Sequence, residues 1–310
     1  MEDFFELLIA ELEQYLTEDE CAYPVRVLLN NDVAEERIAV RKGNAPTGPT
    51  IRVDKLKEAY YQGKVSIKMA VKLLINLLRN NESQNIHVPY IAEYTEEVAK
   101  RIQMMFVSKS KNKKRLERGL VPFVSFGDCD LAGTFFVHSE TEDGEPKQKT
   151  NWVLHISYEI LDRWGCDLDA EKLFELAMGN MNEKDDFCIL ATLDADILNL
   201  SRGTIENIPL PIEMYVVSTR YRNYGASAIL AESVRAQLRD VLQTDKVFVL
   251  PSSVHETIVV RYQAEYADMF RQMVRDVNRE VVDEKEILSD DIWVLDLITG
   301  ELVVYKESEE

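Results

Sequence analysis

The sequence lacks the features that mark secreted, membrane-spanning and zinc-binding proteins. Its 310 residues include four cysteines, which are widely spaced and form no CxxC pair, so neither a disulfide framework nor a zinc pattern is indicated. No window approaches the roughly 18 consecutive apolar residues of a membrane span. The first residues are acidic, where a secretory leader would carry basic ones. We therefore expect a cytoplasmic protein with reduced thiols and no membrane partner.

Basic residues are also scarce relative to acidic ones. There are 36 lysines and arginines against 55 acidic residues, a net charge of -19, and such a field repels phosphate backbones and disfavours direct nucleic-acid binding. Segment 140–196 holds fifteen of the acids and five bases, a local net charge of -10. The first hypothesis is a non-enzymatic binding protein with a basic protein partner. DNA mimicry and a simple gain in solubility are the alternatives for the acidity.

Helices and strands are predicted to be interspersed, without an even βα alternation or a glycine-rich dinucleotide fingerprint. This order favours an α+β fold with mixed, mostly antiparallel sheets and packed helices. Hairpins are predicted around 25–40, where Asn30-Asn31-Asp32 supplies the turn, and around 292–305. A helix is predicted over 90–106 and another over 226–242. Six basic residues in 109–118 suggest a boundary between an N-terminal region, 1–118, and a C-terminal region, 119–310.

The most enzyme-like stretch is Leu-Pro-Ser-Ser-Val-His-Glu at 250–256, in a loop between two predicted strands. Here Ser252 or Ser253 could be a nucleophile, His255 a proton carrier and Glu256 its orienting group. Alternation along a strand would, however, aim His255 and Glu256 at opposite faces. A zinc-protease HExxH pattern is excluded, because valine stands where the second histidine belongs. A turn whose side chains bond backbone groups is the structural alternative to a hydrolase or transferase.

A second candidate is an anion site in the segment 218–227, which joins a predicted strand to a predicted helix. Two arginines close to a helix N-terminus can bind a small anion or a nucleotide, while a helix-capping loop is the alternative. Its candidate ligand-binding residues are Arg220, Arg222, Tyr224, Gly225 and Ser227. The basic run 109–118 offers a further, weaker phosphate-binding alternative to a solvated helix end.

Metal binding is not expected. Asp128 with Asp130 and Asp194 with Asp196 form DxD pairs, a spacing that can present two carboxylates to a divalent cation. No histidine or further carboxylate follows at a diagnostic spacing, and pairs of this kind arise by chance in so acidic a chain. We expect neither a metal nor another cofactor.

Taken together, several segments resemble one bacterial family, domain-of-unknown-function family 5688, found mainly in gut Firmicutes. The most specific are Leu-Pro-Ser-Ser-Val-His-Glu at 250–256 and Met-Val-x-x-Val-Asn ending at Asn278. The other matching segments are 28–31, 49–51, 164–165, 173–177, 214–216, 224–226 and 288–290. The resemblance implies a cytoplasmic protein, often of a mobile element, such as an accessory or anti-defence factor, but no activity. It carries over Ser252, Ser253, His255, Glu256 and Asn278 as motif positions.

Overall fold

Every strand pair in the computed structural model is antiparallel within the part of the chain that it describes, residues 3–43, 50–83, 93–143, 148–183, 188–192 and 212–307. With helices packed on these sheets, the predicted α+β class is confirmed. Two compact units are present. The first comprises Met1–Leu29 and Val33–Tyr90, and the second comprises Asn30–Asp32 and Ile91–Glu310.

The first unit packs helices on a small three-stranded sheet of order β1-β2-β3. Its helices are α1, Phe4–Leu12, α2, Asp54–Tyr61, and α3, Ile67–Ser83, and its strands are β1, Glu20–Leu28, β2, Ala34–Lys42, and β3, Thr50–Arg52. The Asp3 carboxylate accepts from the backbone N–H of Phe5 and caps α1. Because Phe4, Leu8 and Leu12 recur at helical spacing, one face of α1 is buried. The predicted first hairpin is confirmed as β1 and β2.

The second unit contains two sheets. The smaller consists of β4, Ile102–Ser108, β5, Phe123–Ser125, β6, Leu131–Asp143, and β7, Gln148–His155, and β6 pairs with the other three. The larger has the order β13-β12-β10-β11-β9-β8. Its strands are β8, Cys188–Thr192, β9, Met214–Thr219, β10, Lys246–Pro251, β11, Glu256–Arg261, β12, Trp293–Asp296, and β13, Leu302–Val304. The predicted terminal hairpin is confirmed as β12 and β13.

Helices of the second unit cover these sheets and carry apolar faces into shared cores. They are α4, Glu96–Ala99, α5, Lys113–Glu117, α6, Tyr158–Trp164, α7, Ala170–Glu183, α8, Glu232–Leu242, and α9, Ala267–Glu280. Strand β4 pairs along its whole length with β6 and so lies in the second unit. Among the described residues, no helix combines the length and apolarity needed to cross a membrane.

Two predicted helices differ from the structure. The helix over 90–106 is wrong where it overlaps β4, because Met104, Met105 and Phe106 are all buried and an apolar run buried on both faces carries no clear period. The helix over 226–242 is interrupted at Ala231, which has an extended backbone. A fully buried 3₁₀ segment, Gly225–Leu230, precedes this break, and the break allows that segment to pack beneath β9.

Cys129 should be chemically inert in the folded protein. It is buried, with Sγ 3.7 Å from the Leu302 carbonyl oxygen, and burial, assisted by the charge of Asp128, raises its pKa to about 12. Since the thiolate is the reactive form, we expect a thiol reagent at about pH 8 to label exposed Cys21 at once and Cys129 only on unfolding. Peptide mass spectrometry measures the extent of labelling at Cys21 and at Cys129. Equal labelling rates in the native protein would contradict the burial described.

Candidate functional site

The two segments singled out from the sequence, 250–256 and 218–227, form one structure. The carbonyl oxygen of His255 accepts from the backbone N–H of Gly225 at 3.0 Å and from Ser218 Oγ at 2.7 Å. The Ala226 N–H donates to the Val254 carbonyl. A side chain at Gly225 would collide with Thr219, Ser218 and His255, so glycine is required for this close approach. The loop between β10 and β11 therefore fixes the turn that follows β9.

Three ring side chains stand in a row at this junction. Tyr224 has a left-handed backbone, with φ 51°, and its ring stacks on His255 with centroids 5.3 Å apart. The edge of His155, at the end of β7, meets Tyr224 at the same centroid distance. Phe136 on β6 packs against Tyr224 at 5.5 Å. The row therefore brings His155 of the smaller sheet, with Phe136 of the same sheet packed beside it, together with Tyr224 and His255 from loops of the larger one.

The tautomer of neutral His255 follows from its hydrogen bonds. The backbone N–H of Tyr224 donates to Nδ1 at 3.1 Å, so Nδ1 is the acceptor and the ring hydrogen is assigned to Nε2. Nε2 lies 3.8 Å from Oε1 of Glu286. The backbone carbonyl of Glu286 also accepts from the Val254 N–H at 2.9 Å. Glu286 is therefore held next to His255 and adjoins the ring row.

An asparagine pair holds residues 30–32 of the second unit against the segment that carries Glu286. The Asn31 N–H donates to Asn112 Oδ1 at 2.9 Å, and Asn112 Nδ2 donates back to Asn31 Oδ1 at 3.0 Å. Asn31 Nδ2 also donates to the carbonyl oxygens of Glu284 and Ile287. Asn31 adopts φ 61°, a region that asparagine tolerates better than most residues. The predicted turn at 30–32 is therefore a packed element of the second unit.

We expect Asn31→Ala and Asn112→Ala to destabilise the second unit by about 2 kcal/mol or more each, because each leaves buried amide groups without partners. The double variant should lose clearly less than the sum, since the two side chains share their bonds. Urea unfolding of the wild type, the two single variants and the double variant gives the four free energies of unfolding for this double-mutant cycle. If the losses of stability of the single variants simply add in the double variant, the reciprocal hydrogen bonds between Asn31 and Asn112 are contradicted.

Arg115 is one cation of the site. It lies on α5, whose Leu116 side chain is buried. The backbone N–H of Lys114 on the same helix donates to Asp32 Oδ2 at 2.9 Å. The side chain is half-buried. Burial lowers its pKa, while the charges of Asp32 and Tyr224 act in the opposite direction. Among the described residues, no acceptor lies within hydrogen-bond or ion-pair distance of its guanidinium group, and Asp32 Oδ1 is buried without a partner there.

His155 and Tyr224 are both held in their neutral forms. Burial, and then the charge of Arg115, lower the pKa of His155 to about 4. The residue is nevertheless exposed to solvent. For Tyr224, burial and then Glu286 raise the phenol pKa, against opposing effects of Arg115 and Lys285. The groups around Tyr224 are therefore two cations, Arg115 and Lys285, the ring of His155, and the carboxylates of Asp32 and Glu286.

The other candidates from 250–256 have structural contacts. Ser253 Oγ accepts from the His255 N–H at 3.0 Å, Ser252 is half-buried, and Glu256 begins β11 opposite Ser218. Asn278 is buried on α9 and donates to the Ser289 carbonyl at 2.8 Å and to Asp290 at 2.9 Å. Of the five predicted catalytic candidates, His255 is the member of the ring row.

The predicted anion-binding residues also do not all lie at the junction. Tyr224 and Gly225 build the junction, and Ser227 is buried and donates to the Met104 carbonyl at 2.6 Å. Arg220 and Arg222 are exposed, and the Arg220 guanidinium lies 5.2 Å from the centre of the Tyr221 ring. The cations that act on Tyr224 are instead Arg115, from the basic run 109–118, and Lys285. Sequence reasoning missed His155 and Glu286, and it recognised Asp32 only as part of a turn.

The DxD pairs do not form a metal centre where the structure describes them. Asp128 pairs with Lys306 and accepts from the Val304 N–H, and Asp130 accepts from Ser108 and Ser110. Asp194 and Asp196 lie outside the described residues. Within the described ranges, no three histidine, cysteine, aspartate or glutamate side chains gather as a metal site.

Comparisons with known proteins give one match. Residues 1–296 fit the model of a family described as a family of unknown function (DUF5688). A search of curated proteins found no match, and neither did a search of solved structures.

Proposed function

The chain belongs to this family of unknown function, and we propose that it binds a small anionic molecule at Arg115. The observation that carries the proposal is the half-buried guanidinium group, which has no hydrogen-bond acceptor among the described residues. Arginine presents donors in a planar fork that matches phosphate and carboxylate groups. These donors have no partner in the described part of the protein, and a bound anion would fill them with charge-assisted hydrogen bonds.

The remaining groups around Tyr224 define the rest of the ligand. Asp32 and Glu286 offset the charges of Arg115 and Lys285, so attraction there depends on filled hydrogen bonds and not on a net positive field. Carboxylates accept from hydroxyl and amino groups. A ligand with one anionic group and several donors, such as a nucleotide or a sugar phosphate, satisfies both kinds of partner. This corresponds to the small-anion or nucleotide sensor predicted from the sequence, with Arg115 replacing Arg220 and Arg222.

A serine hydrolase mechanism has less support. His255 accepts the Tyr224 N–H at Nδ1, and its Nε2 lies 3.8 Å from Glu286 Oε1, so neither nitrogen is paired with a serine hydroxyl group in the described contacts. Ser253 Oγ accepts from the backbone. A basic protein partner and a mobile-element role remain hypotheses from the charge and from the family resemblance, as does a cytoplasmic location. Part of the acidic segment 140–196 lies outside the described residues.

Titration calorimetry of the full chain tests the proposal. The probes are inorganic phosphate, sulfate, an adenine nucleotide, a sugar phosphate and the corresponding uncharged nucleoside. We expect saturable one-site binding of the phosphorylated molecules with a rise in melting temperature, and no binding of the nucleoside. An absence of heat and of thermal shift for all anions, at millimolar concentration, would overturn the proposal.

A further inference from the structure

Helix α3 of the first unit carries large apolar side chains on an outer face as well as on its buried one. The residues that pack in the core of this unit are Ala70, Val71, Leu74 and Leu78. Met69, Leu73 and Leu77 lie on the solvent side instead and are 55%, 50% and 50% exposed. Because residues four positions apart are neighbours on the surface of a helix, these three side chains form one continuous outer stripe.

A stripe of this kind occurs once among the exposed aliphatic side chains of the described residues. The others are exposed singly, at Leu120, Val241, Val281 and Ile298. Single apolar residues at a protein surface are ordinary, whereas a contiguous apolar patch marks an interaction surface. About half of each stripe side chain stays in water in the folded chain, so a partner that covers the outer stripe removes this apolar area from water.

The polar residues of the same helix give the outer stripe a positively charged border. Lys68 and Lys72 are exposed, and each stands one position before a stripe residue. Segment 59–81 contains four basic residues and no aspartate or glutamate, although the whole chain has a net charge of -19. The charge around the outer stripe is therefore opposite in sign to that of the whole chain, and it complements a negatively charged partner.

We propose that the outer stripe of α3 binds an acidic amphipathic helix of another protein. Helices that dock on an apolar surface present anchors at positions i, i+3, i+4 and i+7, a spacing that matches the recurrence of the stripe residues. Carboxylates beside these anchors would pair with Lys68 and Lys72. Three half-exposed side chains make a small interface, so binding should be weak and reversible. The surface lies in the first unit and does not depend on the anion site at Arg115.

Charge distinguishes this partner from the other occupants of an apolar helix face. Two outer stripes face to face would bring Lys68 and Lys72 of both copies of the chain together, and like charges at an interface are unfavourable. An anionic membrane surface extends past the stripe and meets the net charge of -19, which repels it. A single helix covers only the surroundings of the stripe, and charges farther away than roughly 8 Å are largely screened at physiological salt.

Fluorescence anisotropy of two labelled synthetic peptides, titrated with the full chain, tests the proposal. Both peptides are amphipathic helices of about 18 residues with leucine at every third or fourth position. Glutamate is the only charged residue of the first, and lysine replaces it in the second. We expect saturable micromolar binding of the acidic peptide, which weakens several-fold between about 0.05 and 0.3 M salt. The lysine peptide should bind at least about tenfold more weakly.

Leu73→Glu is the decisive variant, because it puts a carboxylate at the centre of the outer stripe. Leu73 is half exposed, so the fold should persist while affinity for the acidic peptide falls at least about tenfold. Val241→Glu places the same charge at an exposed position of helix α8 and should bind like the wild type. Equal affinity for the two peptides, no saturable binding of the acidic one, or unchanged affinity in Leu73→Glu would overturn the proposal.

Two further measurements detect the other occupants. Sedimentation that shows a dimer for the wild type and a monomer for Leu73→Glu would mean that a second copy of the chain covers the outer stripe. Binding to vesicles of anionic phospholipid that is lost in Leu73→Glu would mean that a membrane surface covers it. Either result would overturn the proposal, and neither bears on anion binding at Arg115.

Discussion

Replacing Arg115 with methionine is expected to abolish anion binding while the protein stays folded. Truncating one partner of a desolvated charge pair costs about 2–5 kcal/mol, which corresponds to a loss of affinity of roughly 30-fold to several-thousand-fold. Methionine has a similar length and fits a half-buried helix position. Because no protein acceptor in the described chain depends on this guanidinium for a hydrogen bond, the change should leave the fold intact. Calorimetry with inorganic phosphate measures the loss.

Arg118→Met is the matched control, since it removes the same charge from the same basic run. Arg118 is exposed at the end of α5 and no interaction joins it to the ring row, so phosphate affinity should fall less than about twofold. Circular dichroism spectra of both variants should overlay that of the wild type. Comparable losses in the two variants would indicate nonspecific attraction and would contradict a site at Arg115.

Gly225→Ala is expected to be the most destabilising small substitution in the second unit. The added methyl group would enter contact distance of three backbone or side-chain atoms, including the His255 carbonyl oxygen at 2.9 Å. Relieving the collision must separate the two loops and weaken the Gly225 and Ala226 hydrogen bonds to the loop 250–256. Overpacking and lost bonds together cost about 3 kcal/mol or more. The melting temperature should fall by roughly 10 °C.

Gly179→Ala provides the control within the same unit. Gly179 lies inside α7, and nothing would come within 4 Å of an added methyl group, so alanine should stabilise by about 0.5–1 kcal/mol through its helix propensity. Thermal unfolding followed by circular dichroism compares both variants. Equal effects of the two substitutions would mean that the Gly225 contact does not exist in solution.

The parts of the fold that were predicted from the sequence share a local signal. Both hairpins were predicted because alternating apolar residues flank turn-forming residues, Asn30-Asn31-Asp32 in the first and Thr299-Gly300 in the second. β4 was missed because residues on both of its faces are buried, which removes the alternation that distinguishes a strand. The interruption at Ala231 was missed because it depends on tertiary packing of the preceding 3₁₀ segment.

The candidate site, too, could be predicted only where a local sequence pattern marked it. The two loop segments were recognised from clusters of polar and turn-forming residues, but their meeting depends on the pairing of β9 with β11. His155 ends β7 as a single histidine between apolar residues, and nothing local marks it. Arg115 was one of six basic residues in its run, and its desolvation arises from tertiary contacts. The sequence pattern therefore identified the segments 218–227 and 250–256, whereas Arg115 and His155 were recognised only from the structure.

Histidine-resolved NMR during titration with sulfate tests the account most directly, because the chain holds only four histidines. His155 and His255 flank Tyr224, while His138 stacks on Tyr221 at 4.0 Å. The account predicts saturable shifts of the His155 signals, smaller shifts of His255, little change at His138, and no shifts in the Arg115→Met variant. Sulfate that binds without moving His155, or that moves it equally in that variant, would contradict an anion site centred on Arg115.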